Sequence, residues 1–485
     1  MLWKPQGRKT RRGTVFSPYT LVTPIASPDF DFAPLLAQSI GQEASDADEA
    51  DHDSEGDIDD IPGDTTAPSD PLNDVDEVYP PPGPPDPWNE VDDLPERQPS
   101  PPHKRRRTAV DDMHEGKKPL THSHRNRKTK RAKSFAAQGH APRATTITSH
   151  VRIPLVTPLR QAIDACTLPV AHGAYGAKVT DAAERWGSKK KRTLDELVQL
   201  GFQVVEWNGY DARPLVDAQG RIFAVLVGQP RDPGWAEAVD RAYRDITAEG
   251  IAAAFPTTML KHRRVGLSYG KGQCVPSRLL NPKYDAMLDR LLGNAAINRM
   301  ATFASAAFCL WAPRLYKYYW DHKEALHRHL PHLRTNFPRS VFSCAAFNFG
   351  PNVWTFRHRD VQNVPFGWCA IQAAGPFDPK KGGHLVLWDL KLAVEFPPGA
   401  LILVPSATVS HSNIPVQDGD CRISFTQFTA GGLMRFVDNG FRTESQLAAE
   451  DPDEYERLAK LKETRWEMGL ALLSTVDELL ERAPD

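Results

Sequence analysis

Residues 355–363 read TFRHRDVQN, and the two residues at its centre are the place to begin. His358 and Asp360 stand two apart at the end of an aromatic, β-prone run. Neighbours at i and i+2 of an extended chain point the same way, so both side chains can converge on one point. A second histidine, His411, follows 53 residues later in 408–415 (TVSHSNIP), and Arg422 comes 11 residues after that in 421–428 (CRISFTQF). Two imidazoles and one carboxylate on one face of a metal are the donor set of non-haem Fe(II) oxygenases. Such a set leaves positions open for a 2-oxo acid such as 2-oxoglutarate and for O2, and the far carboxylate of that acid needs a cation. The planar fork of an arginine on a neighbouring strand suits it. The pair HxD alone arises often by chance; the ordered set of four is more specific. Taken singly, His358 and Asp360 could be a surface loop pair, His411 a satisfied core histidine and Arg422 half of a structural ion pair.

Around this segment the chain is a string of short apolar stretches divided by Gly and Pro. Strands are expected at 341–349, 354–356, 367–373, 384–388, 392–396, 401–405 and 422–428. Many short strands with frequent turns indicate a β-sandwich or barrel. Upstream, 201–207 (GFQVVEW) and 221–228 (RIFAVLVG) read as strands flanking a turn at 217–220, and 233–250 and 295–320 show helical spacing. Downstream, 454–482 returns to helix. Helices before and after a β-core give an α+β domain in which helices buttress sheets. We expect a catalytic unit at 151–445, with a helical and hairpin part at 151–338 and a β-core at 339–430, followed by a C-terminal helix at 446–485.

Residues 1–150 have a different texture. The formal net charge of −2 over 485 residues hides an acidic block at 43–60 and two basic runs at 104–107 and 125–133, and many of the 42 prolines fall in this part. Runs such as 79–87 (YPPPGPPDP) cannot form helix, and the composition is that of a disordered tail. The paired basic runs suggest a nuclear address read by an import receptor. The six cysteines, Cys166, Cys274, Cys309, Cys344, Cys369 and Cys421, are scattered, which argues against a zinc ribbon or disulfide framework and fits a reducing compartment. No apolar run is long enough to span a membrane or to serve as a signal peptide, so no membrane partner is expected.

The motifs 358–363 (HRDVQN), 411–415 (HSNIP) and 422–428 (RISFTQF) together resemble the TET/JBP family of nucleic-acid-modifying dioxygenases, most closely its fungal, transposon-associated branch. That family has HxD with Asn three residues on, a distal His with Pro four positions later, R-x-S, and an aromatic six residues after the Arg. All these spacings are met; the similarity spans roughly 200–440, with the informative matches within 341–430. The resemblance implies a double-stranded β-helix (jelly-roll, cupin-like) core, an Fe(II) centre, and stepwise oxidation of the methyl of 5-methylcytosine in DNA. It makes His358, Asp360 and His411 the iron ligands, Arg422 and Ser424 the 2-oxoglutarate contacts, Asn363 a hydrogen-bonding partner of a flipped-out base and Phe428 its stacking surface. The animal members have Tyr at the position of Phe428, a further base-contacting His where this chain has Ala430, and a cysteine-rich zinc region that is missing here.

A methylated base inside a duplex cannot reach a buried metal, so it has to be flipped out. Phosphate contacts need Lys or Arg, and 188–192 (SKKKR) and 261–264 (KHRR) are candidates, as is plain solvated surface charge. His384 opens an expected strand and is read as structural, since the donor set is complete without it. Two other functions stay open: the same iron chemistry on N6-methyladenine, RNA or a protein, and a catalytically inactive, chromatin-binding transposon-derived protein.

Overall fold

The computed structural model describes residues 190–253, 262–270 and 273–481, with Tyr175 and short pieces at 8–9, 15–16, 25–26 and 30–34. The basic runs at 104–107 and 125–133 and the acidic block at 43–60 lie outside the described residues. Eight strands build the core: β6 (Cys344–Asn348), β7 (Thr355–His358), β8 (Cys369–Ala374), β9 (Leu385–Leu387), β10 (Leu392–Val394), β11 (Leu401–Val404), β12 (His411–Asn413) and β13 (Ile423–Phe428). They divide between two antiparallel sheets, one ordered β11-β8-β13-β6 and the other β7-β12-β9-β10. Hydrogen-bonded neighbours are mostly not chain neighbours, because the chain crosses repeatedly between the two sheets. That is the jelly-roll, or double-stranded β-helix, arrangement.

The larger sheet is extended by β2 (Arg213–Val216) and β3 (Ile222–Gly228) beyond β11, and by β4 (His262–Ser268) and β5 (Ser277–Arg278) beyond β6. The smaller sheet gains β1 (Gln203–Val205), parallel to β10. The two upstream strands expected around the 217–220 turn therefore lie in different sheets. The turn does close a hairpin, but its first strand is Arg213–Val216, whose proline and arginine obscured the pattern.

Strands β8 and β11 are buried along their whole length. Sheets with both faces covered read as continuous apolar runs rather than as alternation. The outer cover is α2 (Gly234–Ala252) and α4 (Ala295–Trp311), with α1 (Leu194–Gln199), α3 (Asp285–Gly293) and α5 (Pro313–His329) alongside. Nearly every side chain of α4 from Ala296 to Trp311 is buried, as expected of a helix apolar on all sides. Specific bonds fix the helices to the sheet: Trp235 Nε1 donates to the Gly399 carbonyl at 3.1 Å and the Val341 amide to Ser305 Oγ at 3.0 Å.

Pro313 divides the single helix expected over 295–320. Ala312 takes φ −138°, ψ 67°, and Pro313 begins α5 at its first position, where the missing N–H costs nothing. The C-terminal helix is likewise several pieces: after α6 (Gly431–Asp438) come α7 (Glu444–Glu450), α8 (Pro452–Ala471) and α9 (Val476–Glu481). The break before α9 carries a readable signal. Glu478 N donates to Thr475 Oγ1 and Thr475 N to Glu478 Oε2, a capping box.

One short piece of the N-terminal region has a place in this fold. Phe30 and Phe32 are fully buried against Phe223, the Phe32 amide donates to Asp217 Oδ2, and Asp31 pairs with Arg221. No helix among the described residues is long and apolar enough to cross a membrane.

Candidate metal centre

Strands β7 and β12 pair so that His358 lies directly opposite His411. Their rings stand 4.3 Å apart at 47°. Each ring turns Nδ1 back to a carbonyl of its own strand, His358 to Phe356 at 2.8 Å and His411 to Val409 at 3.0 Å. A carbonyl can only accept, so Nδ1 carries the proton in both rings and Nε2 is left as a lone pair. Both Nε2 atoms face the Asp360 carboxylate, at 3.8 Å and 4.0 Å. These distances are too long for direct hydrogen bonds and leave room for a shared cation. One ligand atom from each residue falls within 4.8 Å of the others, and among the described residues this is the one group of three or more His, Cys, Asp or Glu so arranged.

The electrostatics keep the set in ligand form. Burial raises the Asp360 carboxyl, but His358, His411, Arg264 and a hydrogen bond from Ser406 outweigh it and hold it below the usual carboxylate range. Burial, then the nearby His358, push His411 down to about 4 against the pull of Asp360, so the imidazole is neutral at ordinary pH.

The backbone around the three is tightly fixed. Asp360 N donates to the Ser406 carbonyl at 2.9 Å, and Asn363 N donates to the Asp360 carbonyl at 2.9 Å. Arg359 lies between the two candidate ligands in sequence and reaches Asp389 at 3.5 Å. Asp389, unassigned from sequence, also accepts the Ser410 amide at 2.6 Å. One buried carboxylate thus ties the segment of His358 and Asp360 to the residue before His411.

Arg422 enters the same sandwich from the start of β13 and is fully buried. Its Nη1 donates to the Val353 carbonyl at 2.9 Å, and its guanidinium lies about 6 Å from the rings of Phe377 and Phe396. Nε and Nη2 have no partner, and burial pushes the group down to about 10. A buried guanidinium with unused donors is what a carboxylate completes with two parallel bonds. Gly383, at φ +73°, permits the approach of the Arg422 stem: a Cβ there would sit 3.3 Å from Arg422 Cδ. The next residue, His384, is fully buried with both ring nitrogens unpartnered. Ser424 lies two residues along β13 and accepts Asn348 Nδ2 at 2.8 Å.

Asn363 is buried beside Ala430, with which it forms an isolated bridge, and donates Nδ2 to Ser406 Oγ at 3.1 Å. Phe428 is half-buried at the end of β13. The fold thus gathers His358, Asp360 and His411 at one point, seats Arg422 and Ser424 on one strand, and brings Asn363 to the residue two beyond Phe428.

Three polar residues here had no motif to announce them. Ser406 is a lone serine, and its importance comes from contacts with residues 37 to 46 positions away. Arg264 was grouped with general surface charge, yet it is close enough to act on the Asp360 carboxyl. His384 was separated from Arg422 by 38 residues of sequence.

No protein-family model matches the sequence, and no curated protein matches it closely enough to count as a relative. Solved structures similar to it include NgTET1 in complex with 5mC DNA, at 13% identity and TM-score 0.36, covering 49% of this chain and 91% of that one. An oxidoreductase of the 2OG-Fe(II) oxygenase family from Burkholderia pseudomallei matches at 16% identity and TM-score 0.21, covering 41% and 90%. The viral collagen prolyl hydroxylase of Paramecium Bursaria Chlorella virus-1, in its 2OG complex, matches at 16% identity and TM-score 0.15, covering 18% and 56%.

Proposed function

We propose that this chain is an Fe(II)- and 2-oxoglutarate-dependent dioxygenase that oxidises the methyl group of 5-methylcytosine in DNA. The observation that carries the reading is the convergence of two Nε2 lone pairs and one carboxylate within 4.8 Å, in the same sandwich as a fully buried arginine with two unpaired donor nitrogens. The donor set is the one Fe(II) takes in such oxygenases. The arginine is the partner a dicarboxylic co-substrate requires, with Ser424 beside it.

Bound there, Fe(II) with 2-oxoglutarate and O2 would supply the oxidising chemistry, one oxygen atom going to the methyl carbon and the other to succinate as CO2 is lost. The protein's own work is positional. His358 and His411 are held as Nδ1–H tautomers by backbone carbonyls, so neither ring has to lose a proton before it can bind a metal. Arg422 anchors the far carboxylate in an apolar surround that strengthens the ion pair. Asn363 would hydrogen-bond a flipped-out base and Phe428 stack on it, with Arg264 available to a backbone phosphate. Phe428 carries no hydroxyl and Ala430 no polar group, so base recognition rests on fewer contacts than the resemblance alone implies. A nuclear location, reached through an import receptor at 104–107 and 125–133, belongs to the same proposal.

The test is incubation of purified protein with Fe(II), ascorbate, 2-oxoglutarate and a duplex carrying 5-methylcytosine, followed by nucleoside mass spectrometry, beside a His358→Ala control. Oxidised cytosines that depend on His358 are expected. Conversion of 2-oxoglutarate to succinate without any oxidised cytosine would keep the iron site and reject this substrate. Absence of both, with iron bound, would make the protein a non-catalytic binder.

A further inference from the structure

Ser406 is 1% exposed and sits at a junction of three side chains. Its hydroxyl is hydrogen-bonded to the Asp360 carboxylate and to the Cys369 thiol, and it receives Asn363 Nδ2 at 3.1 Å. Its carbonyl also accepts the Asp360 amide. A serine hydroxyl has one proton and two lone pairs. Of the three neighbours only the carboxylate must accept, and a charge-assisted bond to it is the strongest available, so the proton goes to Asp360. Both lone pairs then face donors, Asn363 N–H and Cys369 S–H. Every valence of the hydroxyl is used.

This fixes the orientation of Asn363. Turned the other way, the amide would set Oδ1 against an oxygen whose only proton is already given to Asp360. The amide must therefore keep Nδ2 on Ser406 and Oδ1 away from it. Among the described residues no group is hydrogen-bonded to Oδ1, although Asn363 is only 9% exposed. What remains for a ligand is an acceptor of fixed direction.

We infer that Ser406 is a positioning residue that locks the Asn363 amide with its carbonyl toward the substrate, so that the site selects bases carrying an exocyclic amino group over those carrying a carbonyl there. Cytosine and adenine have such an amine; thymine and uracil would place oxygen against oxygen. The inference rests on the nucleobase reading above and narrows it. It also gives Asp360 and Asn363 a common support, so the iron ligand and the base-reading amide are aligned by one hydroxyl.

The experiment compares wild type, Ser406→Ala, Asn363→Ala and the double variant on two duplexes that differ only in 5-methylcytosine or thymine opposite one guanine. Hydroxymethylcytosine and hydroxymethyluracil are quantified together with bound iron and melting temperature. The thymine mismatch opens more easily than the cytosine pair, so the comparison is weighted against the expected selectivity. Wild type should favour methylcytosine, and Ser406→Ala should reduce the product ratio by roughly tenfold or more, the size expected when a buried hydrogen-bonding group loses its fixed partner. In the Asn363→Ala background the serine substitution should leave the ratio unchanged, since its effect runs through that amide. A Ser406→Ala enzyme that slows equally on both duplexes, or whose effect on the ratio persists without Asn363, overturns the proposal and makes Ser406 a support of Asp360 alone. Wild-type protein inert on both duplexes while forming succinate removes the nucleobase reading, and this proposal with it.

Discussion

Two His–Asp groups in this molecule use the same residue types to opposite ends. In the first, the Nε2 atoms of His358 and His411 stop 3.8 Å and 4.0 Å short of Asp360 and form no bond to it. In the second, His322 Nε2 meets Asp438 Oδ1 at 2.9 Å while its Nδ1 lies 2.8 Å from the Tyr318 carbonyl. The Asp438 carboxylate also accepts the Tyr175 hydroxyl and, at 2.9 Å, Arg465 Nη1. Arg465 further lies over the Tyr175 ring at 4.2 Å. Here every polar atom spends its bonding capacity on another part of the protein, tying α5, α6 and α8 together. At the first group the lone pairs point at one another across an empty distance, which is unfavourable in the protein alone and makes sense when a cation is the missing partner. A ligand set is recognised by what it leaves unsatisfied, a structural network by what it consumes.

The largest expected effect separates the two groups outright. Asp360→Ala should abolish iron binding, measured by metal analysis of the purified protein, and take succinate formation to background. The metal-free protein should melt within about 1 kcal/mol of wild type, because only the Ser406 bond and the Asp360 contacts are lost. Marked unfolding of that variant would place Asp360 with Asp438 as a structural carboxylate and break the comparison.

A second test uses the unsatisfied groups around Arg422. Burial pushes His384 down to about 4, against an ordinary value of about 6.5. Between those values the unfolded chain binds a proton that the folded one does not, so stability rises with pH across the window and is lost as pH falls from about 6.5 towards 4. The full loss from His384 would be roughly 3 kcal/mol. In metal-free protein, denaturant titrations at pH 6.5 and pH 4 should show that difference shrinking by about this amount in His384→Leu. At neutral pH the leucine variant should be as stable as wild type or more so, since two unpaired buried nitrogens are removed. An unchanged pH dependence would mean that His384 is charged or bonded in the folded protein.

The same distinction explains what could be read from the chain. His358, Asp360, His411 and Arg422 were legible because rare polar residues stand at strand ends in a fixed order, and a strand pattern alone tells which of them share a side. The eight-strand core was legible from its short apolar runs, although the three residues of β12 gave only a histidine and no run. Helix breaks were harder: Pro313 announces one plainly, but a continuous apolar spacing across it conceals the change of axis. The capping boxes Thr193–Glu196 and Thr443–Gln446 mark two short helices that apolar periodicity does not. Ser406 and His384 could not be found from sequence, because their meaning lies in bonds made, or not made, across strands far apart in the chain. The network at Asp438 was hidden for the same reason, since its members stand at 175, 322, 438 and 465.

The smallest effect, and the most discriminating, is Asp438→Ala. Burial alone would raise this carboxyl, but His322, Tyr175 and Arg465 hold it below the usual range. Its contribution to stability is therefore present above the ordinary carboxylate value and lost as pH falls through the lowered one. Removing it strands three donors, and with Asp438 still 24% exposed the cost should be about 2 kcal/mol rather than that of a fully buried pair. Melting should drop by several degrees at neutral pH, and the difference from wild type should close as pH falls through the lowered value, because there the wild-type carboxyl is protonated too. Iron content and succinate formation per folded molecule should stay at wild-type levels at a temperature where both proteins are folded. Loss of iron from the folded Asp438→Ala protein would show that the two groups are coupled through α6, whose first residue, Gly431, is bonded to the Gln362 carbonyl beside the candidate ligands. The contrast between satisfied and unsatisfied His–Asp groups would then describe one connected site rather than two independent ones.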